Sequence, residues 1–272
     1  MKTIPIPQRQ TLADHLYNEL SERLQSTYWL SNDAFEQTVC KKAHKDYLLN
    51  KGRYLSISPQ LNPKLFALCH QVQRALHCST PIDYLLRENP SINAFAICMP
   101  QGKDPSLIKL NSGAIEHLTD DELKWLIGHE ISHIINHDTV LDRLYDACFE
   151  WKKNTLPLSI KNGVHYHDLL RELEADRYGL LACGSEEIAL RTICKIQSGG
   201  RIEQFDLDAF LQMNHELVLY FLQERKGLGD THPIYPIRVE ALHIFAHSKS
   251  KADLLKQMKP ILTILEYFTI HS

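Results

Sequence analysis

Residues 129–133 read His-Glu-Ile-Ser-His inside an otherwise apolar run. On a helix, His129 and His133 lie one turn apart on one face, and their imidazoles can converge on a single divalent cation. Glu130 is offset by one residue, so it can reach a water on that cation without being a ligand itself. These residue types at this spacing suit metal-assisted hydrolysis. The competing reading is a pair of histidines satisfied within a core, in a chain with 15 histidines.

A hydrolytic zinc site needs three protein ligands and one open position. His137 repeats the four-residue spacing, but ligands at i, i+4 and i+8 of a straight helix spread over about 12 Å, too far for one tetrahedral ion. His137 therefore reads as a helix-end histidine. A third histidine of the metzincin kind would need Gly at 136 and His at 139, where Asn136 and Thr139 stand. The remaining common solution is an acid from a second helix. Residues 170–179 read LRELEADRYG. There Glu172 and Asp176 share a helical face, Glu174 points away, and Ala175 permits close packing. Two acids on one face suit a ligand plus a carboxylate that orients another ligand. The same spacing also suits an exposed acidic helix balanced by Arg171 and Arg177.

The helix that must carry the histidines marks its own start. Thr119 with Glu122 three residues later forms a capping box, and Leu118 with Leu123 forms a hydrophobic staple. Leu123, Leu126, Ile127, Ile131 and Ile134 continue at helical spacing. Leu12, Leu16, Leu20 and Leu24 predict an N-terminal helix docked on a core. A second helix over Asp33 to Leu49, ended by Gly52, completes an N-terminal helical extension, residues 1–52. Residues 53–272 form the main domain. Within it a helix is predicted over Pro63 to His77, with Asn62 as N-cap. Three short strands follow, at Asp83–Arg87, Asn93–Cys98 and Leu107–Leu110. Beyond Leu118 the pattern is helical. Asn162-Gly163 predicts a break that places His165 and His167 in a loop over the cleft. The fold class is α+β, mostly α: one small sheet packed on the histidine-bearing helix, with many helices around it.

The 33 acidic and 30 basic residues give a net charge of −3 and no electrostatic argument for nucleic acid or an anionic membrane. No apolar run is long enough to span a bilayer, and the first twenty residues lack the apolar core of a signal peptide. Seven cysteines, an odd number with no CxxC pair, point to a reducing compartment. The expectation is a cytoplasmic protein, or one exported without a signal. The oligomeric state is left open.

HEISHIINHD, then RELEADRYG, then THPIYPIR resembles the zinc-peptidase family of the CAAX prenyl endopeptidase and the HtpX-type heat-shock proteases. Upstream, Asn93-Ala94-Phe95-Ala96 matches a segment that the family often writes as NAFA, and Asp121-Glu122-Leu123 matches the acidic start of its active-site helix. The resemblance implies a zincin-type catalytic domain. It implies one zinc ion held by His129, His133 and Glu172, with Glu130 as general base and Asp176 orienting a ligand histidine. It places His232 near the substrate oxyanion and has Arg238 bracing the acidic helix. It also makes the strand at Asn93, Ala94, Phe95 and Ala96 the edge that holds an extended polypeptide substrate. Two features depart from the family: its best-known members are integral membrane proteins, and the loop after Phe95-Ala96 reads ICMPQGKDPS instead of carrying Pro-Gly-Gly.

The expected function is a zinc-dependent endopeptidase. The alternatives are a latent, zinc-bound protein-binding or chaperone-like module and a zinc hydrolase of small amides.

Overall fold

The computed structural model describes residues 6–28, 32–100, 104–151, 156–224 and 232–271. Helix α1 (Pro7–Tyr28) buries the predicted stripe: Leu16, Leu20 and Leu24 are almost wholly enclosed. They pack with Leu141, Leu144 and Val164 in a small core of their own. Helix α2 (Asn32–Arg53) ends one residue past Gly52, which faces open space. Helix α3 (Pro63–Ala75) begins at the predicted proline, although the Asn62 side chain makes no capping bond.

A four-stranded sheet, ordered β1-β2-β4-β3, is built from β1 (Leu55–Ser56), β2 (Ile82–Arg87), β3 (Ala94–Ile97) and β4 (Ser106–Asn111). Three strands fall where short runs between turn residues predict them; the two-residue β1 is too short to leave a pattern. Strands β2 and β4 are parallel, whereas β3 runs antiparallel to β4, pairing Ala94 with Leu110 and Ala96 with Ile108. Strand β3 is thus an edge. The short α4 (Ser112–His117) follows β4, and the chain then enters α5 (Asp120–Ile135), which packs beneath β3 and β4. Helix α6 (Asp138–Trp151) and the long α7 (Leu158–Cys183) complete the frame of the site. Around it stand α8 (Glu186–Ser198), α9 (Leu207–Glu224), α10 (Tyr235–His247) and α11 (Lys251–His271).

The main core joins the sheet to α5, α7, α10 and α11, with Trp125, Ile127, Ile131, Leu169 and Leu170 fully enclosed. Two glycines let α5 and α7 approach closely. A Cβ on Gly128 would lie 2.5 Å from Ala182 Cβ, and one on Gly179 would lie 2.7 Å from Trp125 Nε1.

Asn162-Gly163 does not break the chain. Both residues lie within α7, and His165 and His167 are therefore helical, with His167 buried. The reason is tertiary. Gly163 faces α1, where a Cβ would meet Leu16 Cδ2 at 3.0 Å, so the glycine serves a close helix contact rather than a turn. Among the described residues no helix is long and apolar enough to cross a membrane.

Candidate active site

Helix α5 starts as its sequence dictates. The Thr119 hydroxyl accepts from the Glu122 N–H, and the Glu122 carboxylate accepts from the Thr119 N–H at 2.8 Å. Glu122 also receives Arg191 and Lys195 of α8, both at 2.9 Å. This fixes α5 in angle and register. Two turns later His129 and His133 share one face, their ring centroids 5.2 Å apart.

Helix α7 delivers the acid. The Nε2 atoms of His129 and His133 lie 3.3 and 3.8 Å from the two Glu172 oxygens. One ligand atom from each of the three residues falls within 4.8 Å of the others. The chemistry of the donor set fits a cation. The Nδ1 of His129 lies 3.0 Å from Asp176, and the Nδ1 of His133 lies 2.8 Å from Asp138. An ionised carboxylate only accepts, so each Nδ1 carries a proton and each Nε2 is turned toward Glu172. Glu172 Oε2 is buried, with His129 Nε2 at 3.3 Å and His232 Nε2 at 3.4 Å, three donor atoms grouped as a cation would require.

The supporting groups are themselves anchored. Arg238 of α10 holds Asp176 through two bonds, Nε to Oδ2 at 2.9 Å and a terminal nitrogen to Oδ1 at 2.6 Å. Burial pushes the Asp176 carboxyl up, but Arg238 and His129 outweigh it and hold it below its ordinary range. Burial likewise disfavours charge on Glu172, yet the His129 bond and the two neighbouring imidazoles hold that carboxyl well below the ordinary value. Burial also opposes a proton on His129, and its bonds to Asp176 and Glu172 overcome this, raising it to about 10. For His133 burial prevails and lowers it to about 3.

Glu130 stands apart from this triad, as the one-residue offset requires. It is buried, and burial pushes its carboxyl up to about 7 against the pull of His129. A backbone hydrogen bond with Ala96 ties it to β3. Asn93, Ala94, Phe95 and Ala96 all border a cleft of about 620 Å³ shared with His129, Glu130, His133 and Glu172. Along β3 the side chains alternate: Ala94 is buried, whereas Phe95 is 39% exposed and carries Lys109 and Arg87 near its ring. His232 reaches the same cleft, with Nε2 3.4 Å from Glu172 Oε2 and the side chain 55% exposed. Residues 101–103 of the loop after β3 lie outside the described residues.

Sequence reasoning missed three groups that matter to this geometry. Asp138 engages the second histidine. Arg9 of α1 pairs with both Asp138 and Glu174, so Glu174 turns from the triad but not toward solvent. Arg171 chelates Asp142 at 2.9 Å on the rim. Asp138 had a local signal, standing five residues past His133, directly after a helix-end histidine. Arg9 had none.

Two histidines from one helix and an acid from a second thus stand together beside an edge strand, as donors that could hold a metal ion. Residues 59–149 match Peptidase family M48. The chain is 32% identical over 92 residues to a protease HtpX homolog of Streptococcus uberis, covering 33% of this chain and 29% of that protein. It is 31% identical over 90 residues to one from Nostoc sp., covering 32% and 29%. Against the protease HtpX of Shewanella loihica it is 40% identical over 53 residues, covering 20% and 18%. The matched stretch spans less than a third of the length of these relatives. The chain thus carries an M48 peptidase segment and is related to the HtpX-type metalloproteases. The matched residues end before Glu172, Asp176, His232 and Arg238, which α7 and α10 bring to the same site.

Proposed function

We propose that this protein is a zinc-dependent endopeptidase acting on extended polypeptides. The observation that carries the reading is the convergence of His129, His133 and Glu172, with both histidines oriented from behind by carboxylates. His129, His133 and Glu172 would hold one zinc ion. When bound there, zinc supplies a Lewis acid that polarises a carbonyl and acidifies water.

The chain's own residues then divide the work. The outer edge of β3 pairs with no strand among the described residues, and it offers backbone groups to an extended substrate beside the cleft. Such pairing recognises main chain, which suits a peptidase with broad side-chain tolerance. Glu130 takes a proton from the attacking water and passes it to the leaving amine. Its carboxyl, pushed toward neutrality by burial, is suited to both halves of that transfer. His232 donates to the oxygen that gains charge as the carbonyl becomes tetrahedral, a contribution typically of about 3 kcal/mol. Asp176 and Arg238 hold His129, and Asp138 and Arg9 hold His133. The odd cysteine count without CxxC spacing supports a cytoplasmic or otherwise reducing setting.

The test is Glu130→Gln compared with wild type for zinc content and for cleavage of an unfolded protein. The substitution should leave the metal content unchanged and reduce cleavage by roughly 100-fold or more. Equal cleavage by the two proteins would remove Glu130 as the base.

A further inference from the structure

A second group of metal-ligating side chains lies outside the cleft. His243 and His247 stand one turn apart on α10, and Glu186 opens α8. Glu186 Oε1 lies 2.6 Å from His243 Nδ1, and its Oε2 lies 2.8 Å from His247 Nε2. The two rings are 4.5 Å apart between centroids. One ligand atom from each residue falls within 4.8 Å of the others, the same limit that the buried triad meets.

We propose that Glu186, His243 and His247 form a second metal site, a surface clip that ties α8 to α10 through a divalent transition metal.

The donor set selects the class of ion. Two imidazoles and one carboxylate suit zinc, copper(II) or nickel(II), whereas calcium and magnesium prefer all-oxygen shells. Two histidines at i and i+4 on a formed helix need little reorganisation to chelate one ion. The carboxylate comes from a different helix, so an ion bound here would cross-link two elements that a plain surface ion pair holds only weakly. Glu186 is itself well placed, because Ser185 caps α8 by accepting from the Ile188 N–H. The surroundings are acidic. Glu187 adjoins Glu186, and Glu240 lies one turn before His243 with its carboxylate bonded to His215 at 3.0 Å. The His243 and His247 side chains are 36% and 60% exposed, so water can complete the shell and exchange is open.

The link to the cleft is through α10. The same helix carries Arg238, which grips Asp176 behind His129. An ion clipping the far end of α10 to α8 would therefore stiffen the helix that braces the catalytic frame.

The experiment measures zinc bound per chain by equilibrium dialysis and elemental analysis, for wild type and for His243→Ala/His247→Ala. Circular dichroism verifies that both are folded. The variant should bind one equivalent fewer, and zinc should raise the melting temperature of wild type more than that of the variant. Glu186→Gln should retain both histidines but bind this equivalent at least about tenfold more weakly. The difference of one equivalent is the readout whatever the buried triad binds, because that triad is intact in all three proteins. Identical stoichiometry and affinity in wild type and the double variant would overturn the site.

Discussion

His133 Nδ1 lies 2.8 Å from Asp138 Oδ2, five residues further along the chain. The contact exists because α5 ends abruptly. His137 adopts a left-handed conformation with φ of 53°, and its N–H bonds back to Ile134. The next residue opens α6 and turns its carboxylate toward the histidine one turn inside α5. Arg9 from α1 closes on the far side of the same carboxylate. Each histidine of the triad thus has its own carboxylate and its own arginine, Asp176 with Arg238 and Asp138 with Arg9.

This symmetry predicts matched losses. Asp138→Asn and Asp176→Asn should each weaken metal affinity by about 10–100-fold, since an amide cannot enforce the same tautomer or basicity. Arg9→Ala should act in the same direction through Asp138. Competition with a chromogenic chelator measures all three. A variant of Asp138 with wild-type affinity would show that His133 needs no partner.

The left-handed turn predicts a graded response at one position. A β-branched residue is strained there and glycine is not. His137→Val should therefore be less stable than His137→Gly by about 1–2 kcal/mol. Urea denaturation of the two variants gives the comparison, and equal midpoints would contradict the turn.

The approach of α5 to α7 depends on two missing side chains. Gly128→Ala and Gly179→Ala would each force atoms into contacts under 3 Å, 2.5 Å to Ala182 Cβ and 2.7 Å to Trp125 Nε1. Each should destabilise the protein by roughly 1–3 kcal/mol. Because Glu172 and the histidines lie on opposite sides of that contact, metal affinity should fall as well. Gly52→Ala, in open space on α2, is the control and should be neutral or slightly stabilising.

Acid should weaken the anchor of α5 at Glu122. Burial pushes this carboxyl up, but the Lys195, Thr119 and Arg191 bonds outweigh burial and hold it below its ordinary range. The folded chain then binds fewer protons than the unfolded one at acid pH. The stabilisation is complete above the unfolded value of about 4.3 and is lost as pH falls through the lower folded value. The stability difference between wild type and Glu122→Gln should shrink from pH 6 to pH 3. A difference constant over that range would exclude the ionised carboxylate as its source.

Much of the site was legible in the sequence because it is local. The capping box at Thr119 and Glu122, the shared face of His129 and His133, and the offset of Glu130 all follow from local helix geometry between Thr119 and His133. The paired face of Glu172 and Asp176 follows in the same way, and so does the buried leucine stripe of α1. What helical spacing could not decide was which acid faces the cleft and which backs His129 from behind, because both lie on one face. That choice came from Arg238, 62 residues beyond Asp176, which claims one acid and leaves Glu172 facing the cleft. The same holds for Glu174, taken by Arg9 from 165 residues away, and for Gly163, whose turn signal is overridden by packing against Leu16. The Glu186–His243–His247 cluster likewise joins two helices whose sequences say nothing of each other. Local periodicity determined the faces that carry the chemistry. Contacts between distant segments, made only when the core closes, decided what each face meets.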